Sequence, residues 1–184
     1  MPELPPIYIT DRDVRTANAV VVCYLPTNAW DKRHNPIAIT GIATSREIAN
    51  VLEYGESDLV RLSPQSYLAT RSGCQWELHV NKRWQGEQPT MLSLVRTLSL
   101  VQAMRVLPCV YWSAREGFEP RAGALGLTKP ERDITLRWDD ALLRVVIGSV
   151  SPFGRGVFVF DNLSQDDAGN PHPRGLYLLY EELL

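Results

Sequence analysis

Cysteine, histidine and lysine are each present only three times in a chain of 184 residues, whereas arginine occurs sixteen times. Cys23, Cys74 and Cys109 stand at long, irregular spacings, which excludes a disulfide framework and a CxxC zinc site. His34, His79 and His172 fall in separate regions with no HxH or HxxxH spacing, so a metal site is not expected. No apolar run approaches the ~20 residues of a membrane span, so a membrane is not an expected partner. The start, Met1-Pro2-Glu3-Leu4-Pro5-Pro6, lacks the basic and apolar regions of a signal peptide. With unpaired cysteines, this leads us to expect a cytoplasmic protein.

Nucleophile and phosphate motifs are missing as well. There is no GxSxG, and Gly123-Ala124-Leu125-Gly126 and Gly154-Arg155-Gly156 fall short of the Walker and GxGxxG patterns. Asp166-Asp167 lacks the spacing of a calcium loop. Cys74 is read on the apolar side of a strand, where a thiol serves as a small hydrophobe. No cofactor is expected. The dominance of Arg over Lys is read as the codon bias of a GC-rich bacterial or phage genome.

What remains is an ordinary globular composition, with 45% hydrophobic and 22% charged residues and a formal charge of −2. Its length fits one globular domain over residues 1–184. Ala19 to Leu25 is a β-branched run closed by Pro26, the mark of a buried strand, and Ile37 to Ile42 resembles a second. Thr44-Ser45-Arg46-Glu47 is a capping box, followed by Ile48, Val51 and Leu52 at helical spacing and by Gly55 as a stop. A helix over about 45–54 follows. From Cys74 to Val80 apolar and polar residues alternate strictly, predicting a half-buried strand with Trp76 and Leu78 inside and Glu77 and His79 outside. Tyr67 to Arg71 is its expected hairpin partner.

A longer helix, about 90–106, is expected from Met91, Leu94, Val95, Leu98, Val101 and Met104, with Ser93, Arg96, Thr97, Ser99 and Gln102 facing water or a partner. Strands are expected at 109–112, 134–138, 142–147, 156–160 and 176–180, with Asp139-Asp140 as either a turn or a helix cap. The strands outnumber the helices without a regular βαβα order. The predicted class is α+β, with a mostly antiparallel or mixed sheet and two principal helices.

The charge map supplies the functional signal. Residues 1–60 carry −3, residues 61–105 carry +4 and residues 106–184 carry −3. The basic middle third contains Arg71 and the cluster Lys82-Arg83-Trp84, two cations beside an aromatic, which suits a phosphate backbone with a stacked base or an acidic protein surface. Arg71, Lys82, Arg83 and Trp84 are therefore the candidate binding residues. Glu77 and His79, on one strand face, are the catalytic candidates, placed to share a proton or a metal.

The order of elements from Glu47 through Gly55 and Leu59-Val60-Arg61 to Gly73-Cys74, a helix, a glycine, a strand and a second glycine, resembles the ParB and sulfiredoxin-like fold over less than a quarter of the chain. Members of that fold bind nucleotides at a Gly and Arg box; here Gln75-Trp76 stands where the box has its Arg. The resemblance implies a small nuclease or NTPase. The residues themselves favour a non-enzymatic interaction or regulatory module of bacterial or phage type, binding a nucleic acid or an acidic protein. A nucleotide- or phosphodiester-acting enzyme is the alternative.

Overall fold

The computed structural model describes residues 5–24, 43–108, 125–127, 130–162 and 175–180. The strands are β1 (Ile7–Tyr8), β2 (Ala19–Tyr24), β3 (Ser66–Ser72), β4 (Gln75–Val80), β5 (Arg105–Pro108), β6 (Pro130–Arg137), β7 (Leu142–Gly148), β8 (Gly156–Asp161) and β9 (Gly175–Leu179). The helices are α1 (Ser45–Tyr54), the single turn α2 (Glu56–Leu59) and α3 (Met91–Ala103). The nine strands among the described residues form one sheet in the order β1-β5-β9-β8-β7-β6-β2-β3-β4, with every neighbouring pair antiparallel. The class is α+β, as the pattern of elements predicts. Among the described residues no helix is long and apolar enough to cross a membrane.

The sheet is covered on both faces, which explains its continuous apolar strands. In β2, Val20 and Val22 face a core closed by Leu94, Leu98 and Val101 of α3, while Ala19, Val21 and Cys23 face a second core closed by Ile48, Val51 and Leu52 of α1. A strand buried on both sides has no room for polar alternation, and each such side chain contributes roughly 1.5–3 kcal/mol through burial. Helix α1 starts and stops as its sequence dictates. Thr44 and Glu47 satisfy each other's backbone amides, and Gly55, at φ +81, ends the helix.

Helix α3 differs from expectation at its C-terminus and in its orientation. It begins at the Thr90 cap but stops at Ala103, because Met104 turns extended and β5 is drawn into the sheet between β1 and β9. Its buried positions are Leu94, Thr97, Leu98 and Val101, whereas Met91 and Val95 are exposed. Thr97 is accommodated by a 3.5 Å contact with the Tyr67 hydroxyl.

The β3–β4 hairpin forms with Ser72 opposite Gln75, so its turn is Gly73-Cys74. The first central position of this turn needs a positive φ, which Gly73 supplies at +61. Cys74 consequently sits exposed at the tip and is not on the apolar face. Trp76 and Leu78 point to the α3-side core but are only half-buried, since β4 is an edge strand; Glu77 is exposed and His79 is half-buried.

Residues 59–61 do not form the strand that the ParB-like order implies, because Leu59 closes α2 and the next residues are a turn. Asp139-Asp140 lies in the β6–β7 hairpin loop, where the Trp138 amide donates to the Ala141 carbonyl at 2.8 Å. The expected strands at 37–42 and 109–112 lie outside the described residues, as do Cys109, His34, His172, Asp166 and Asp167.

Candidate anion-binding cleft

Two of the three cations expected to form a binding face, Arg71 and Arg83, have taken structural work. Arg71 Nε donates to the Ala17 carbonyl at 2.8 Å, Nη2 to Thr16 at 2.9 Å and Nη1 to Gly73 at 2.7 Å, tying the chain before β2 to the hairpin tip. Arg83 Nη2 donates to the carbonyls of Val60 and Leu62, the latter at 2.7 Å, closing the free end of α2. Buried Asn81 assists by donating to Leu59 and Ser63 and by accepting from the Arg83 amide. Trp84 packs into the α3-side core, its ring centroid 6.0 Å from Tyr24 in a T-shaped contact and 6.5 Å from Tyr67. Its indole N–H donates to the Glu87 carbonyl at 2.9 Å. Lys82 is exposed and has no partner among the described residues.

Glu77 and His79 do come together at the edge of the sheet, with His79 Nε2 4.0 Å from Glu77 Oε1 and Nδ1 3.6 Å from Glu56 Oε2. Both separations exceed the 2.6–3.2 Å reach of a proton-transferring hydrogen bond. Among the described residues no group of His, Cys, Asp and Glu is placed to hold a metal ion.

A different set of cations converges between α3 and the sheet, around a cleft of about 460 Å³. Antiparallel order brings the end of β2, the start of β6, the end of β7, the start of β8 and the end of β9 to one end of the sheet. Tyr24 and Arg132 are direct cross-strand partners there, and Arg132 pairs on its other side with Ile147 beyond an irregularity at the start of β6. Arg155 precedes β8, where its carbonyl accepts the Leu179 amide at 2.8 Å. Period-2 alternation places Tyr24 with Val22, Arg132 with Ile134 and Arg155 with Val157, all on the α3 face. From the opposite wall, α3 contributes Ser93, Arg96 and Thr97.

Three guanidiniums, from α3, from β6 and from the residue before β8, thus line one concavity, and among the described residues no acidic side chain lines it with them. The Arg132 guanidinium carbon lies 5.6 Å from the centroid of the Tyr24 ring. Arg96 is exposed and has no partner among the described residues. Arg155 Nη1 is 3.4 Å from Glu131 Oε2, but its Nε is buried with no hydrogen-bond partner. A buried donor left unpaired costs about 1–3 kcal/mol, so this atom is available to an acceptor that enters the cleft, water or ligand.

An adjoining cavity of about 230 Å³ shares Arg96, Leu100, Met104 and Leu179 and adds Arg105. The Arg105 guanidinium carbon is 5.8 Å from the Tyr8 ring centroid and 5.3 Å from that of Tyr180, and its Nε is likewise buried without a partner. Guanidinium forks match the paired oxygens of phosphate and carboxylate, so the arrangement can hold an anion; its lining among the described residues has no carboxylate, imidazole or thiol.

Sequence reasoning placed Arg96 on the free face of its helix, noticed Arg155 only within a failed glycine motif and did not single out Arg132. The signal that pointed to them was the excess of Arg over Lys, set aside as codon bias. Comparison with known proteins gives no match to any family model, curated protein or solved structure.

Proposed function

We propose that the protein is a non-enzymatic interaction module that binds a nucleic acid through phosphate, using the arginine cleft between α3 and the sheet. The observation that carries this reading is the convergence of Arg96, Arg132 and Arg155 on one concavity with no acid lining it among the described residues. Their forks hold phosphate oxygens, and the Ser93, Thr97 and Tyr24 hydroxyls add neutral donors. Exposed Lys82, without a partner among the described residues, is available for a peripheral backbone contact. An acidic protein would be served better by a broad basic face than by a recess. Cytoplasmic residence and a bacterial or phage origin belong to the same reading, supported by the free thiols Cys23 and Cys74 and the arginine-rich composition.

A second reading, a nucleotide- or phosphodiester-acting enzyme, is favoured by the size of the cleft, which lies within the range of small-molecule sites. Release of product from a nucleotide or oligonucleotide incubated with the protein and a divalent ion would select it.

The test of the first reading is fluorescence anisotropy of a labelled single-stranded oligonucleotide with the native chain and with the double variant Arg96→Glu/Arg132→Glu. Loss of two phosphate contacts should weaken binding at least tenfold and flatten the dependence of log K on log salt by about 1.4, at ~0.7 per contact. Equal binding by the variant would remove the cleft from the interface, and an acidic peptide that displaces the oligonucleotide while binding more tightly would reassign the partner.

A further inference from the structure

We propose that the cleft receives the terminal phosphate monoester of a nucleic-acid strand, and not an internal phosphodiester; this rests on the nucleic-acid reading above. Charge matching is the first argument. Arg96, Arg132 and Arg155 bring three positive charges, of which Glu131 offsets one through its contact with Arg155, leaving a surplus of two. A phosphate monoester carries −1.5 to −2 at neutral pH. An internal diester carries one negative charge and would leave one of the cleft's positive charges without a counter-charge.

Donor geometry points the same way. Arg96 has no partner among the described residues, Arg155 retains an unpaired buried Nε, and the hydroxyl-bearing Ser93, Thr97 and Tyr24 belong to the same lining. The three terminal oxygens of a monoester can accept from donors on the sheet side and the helix side at once, whereas a diester presents only two non-bridging oxygens. Room is the third constraint. Ile147, Leu179 and Leu100 supply apolar lining, and a volume of about 460 Å³ accommodates one terminal nucleotide more readily than a strand passing through in both directions.

The experiment compares one oligonucleotide sequence in four forms: without a terminal phosphate, with a 5′-phosphate, with a 3′-phosphate and as the matching mononucleotide 5′-monophosphate. Binding is followed by calorimetry from pH 5 to 8. A phosphorylated end should bind at least tenfold more tightly than the plain strand, with inorganic phosphate competing. Because the second ionisation of the monoester lies near pH 6, that advantage should grow as pH rises from 5 to 7.5, and no such growth should occur for the plain strand.

Arg155→Gln should abolish the difference between the plain and phosphorylated strands. Arg132→Lys, which keeps charge but loses the fork, should reduce it if Arg155→Gln compromises folding. Equal affinity for the plain and phosphorylated strands, lost together in Arg96→Glu/Arg132→Glu, would overturn the monoester proposal and leave the nucleic-acid reading standing. Absence of binding to every strand would overturn both. Tight binding of the mononucleotide with no binding of any strand would likewise overturn both and reassign the cleft to a free nucleotide.

Discussion

Replacing Asp133 by Asn should be among the most damaging single changes in the sheet, because Asp133 is the counter-ion of a fully buried arginine. The side chains of Asp133 and Arg144 are both 0% exposed. Asp133 faces Val146 in the β6–β7 register while Thr135 faces Arg144, so the two charges meet diagonally across the strand pair. Arg144 Nε donates to Asp133 Oδ1 at 3.0 Å and Nη2 to Oδ2 at 2.7 Å. Its remaining donors reach the Ser45 hydroxyl at 3.3 Å and the Ala43 carbonyl, anchoring the N-terminal end of α1 to the sheet. The Phe160 ring covers the guanidinium at 5.2 Å.

Asn in place of Asp133 keeps an acceptor of the same shape but leaves a cation buried without its opposite charge. Breaking such a pair costs about 3–5 kcal/mol. For a chain of this size each kcal/mol lowers Tm by ~2–4 °C, so a fall of about 6–20 °C is expected. Urea denaturation at neutral pH checks the free energy directly, with an unchanged slope showing that the native state is otherwise intact. The double variant Asp133→Leu/Arg144→Met should recover most of the loss, because it removes the charges together. An Asp133→Asn variant within about 1 kcal/mol of the parent would refute this account, since one unmet hydrogen bond would then explain the whole effect.

Trp84→Ala should destabilise the fold by about 2–4 kcal/mol, below the 3–5 kcal/mol typical of a fully buried ring, because Trp84 is only half-buried against Tyr24 and Tyr67. Loss of oligonucleotide binding with unchanged stability would instead make it a stacking residue. Among the described cysteines, Cys74 should react rapidly with a thiol reagent and Cys23 slowly, since burial and the nearby Asp133 carboxylate push the Cys23 thiol well above its ordinary pKa. Cys74→Ser should therefore remove one fast equivalent and Cys23→Ser none. The Arg12 guanidinium, hydrogen-bonded to both Asp140 oxygens at 2.9 and 3.0 Å, holds that carboxyl below its ordinary 3.8. A lowered folded-state pKa contributes stability that is present above the unfolded value and lost as pH falls through the folded one. The stability difference between the native chain and Asp140→Asn should accordingly be flat above about pH 5 and close on further acidification, read as urea midpoints across that range.

Local structure was legible wherever one short stretch of chain carries the cause. The capping box at Thr44 and Glu47 and the stop at Gly55 define α1 without help from the rest of the fold. The alternation through Trp76, Leu78 and Val80 yields β4, although its core-facing residues are only half-covered, because period 2 reports which face a residue takes and not how completely a neighbour covers it. The end of α3 was less accessible for a tertiary reason. Apolar spacing continues through Met104, but Val106 is claimed by Ile7 and Leu179 on either side, and β-pairing across such distances leaves no local trace. Thr97 is buried for the same kind of reason, since the Tyr67 hydroxyl that receives it comes from β3.

The cleft illustrates a sharper version of the same limit. Net charge counted over a window treats neighbours in sequence as neighbours in space, and that approximation failed in both directions. Arg71 and Arg83 lie in the basic middle third, yet their donors end on backbone carbonyls at α2 and ahead of β2, where a fork that fills several carbonyl sites at once is worth more than a solvated charge. Arg132 and Arg155 lie in a segment of net charge −3, yet an antiparallel sheet returns the starts of β6 and β8 to the same end, and the positions of Arg132 and Arg155 in the alternation turn them toward α3. Arg96 then completes the set from the helix. Among the described acids of that segment, Asp133 points to the opposite face and is paired with Arg144, Asp140 is paired with Arg12, and Glu131 is the one that reaches Arg155. A partner's affinity follows the cations that converge on one concavity after the local acids have been assigned to their own arginines, and by that measure the most cationic recess described in the protein is built largely from its formally acidic C-terminal part.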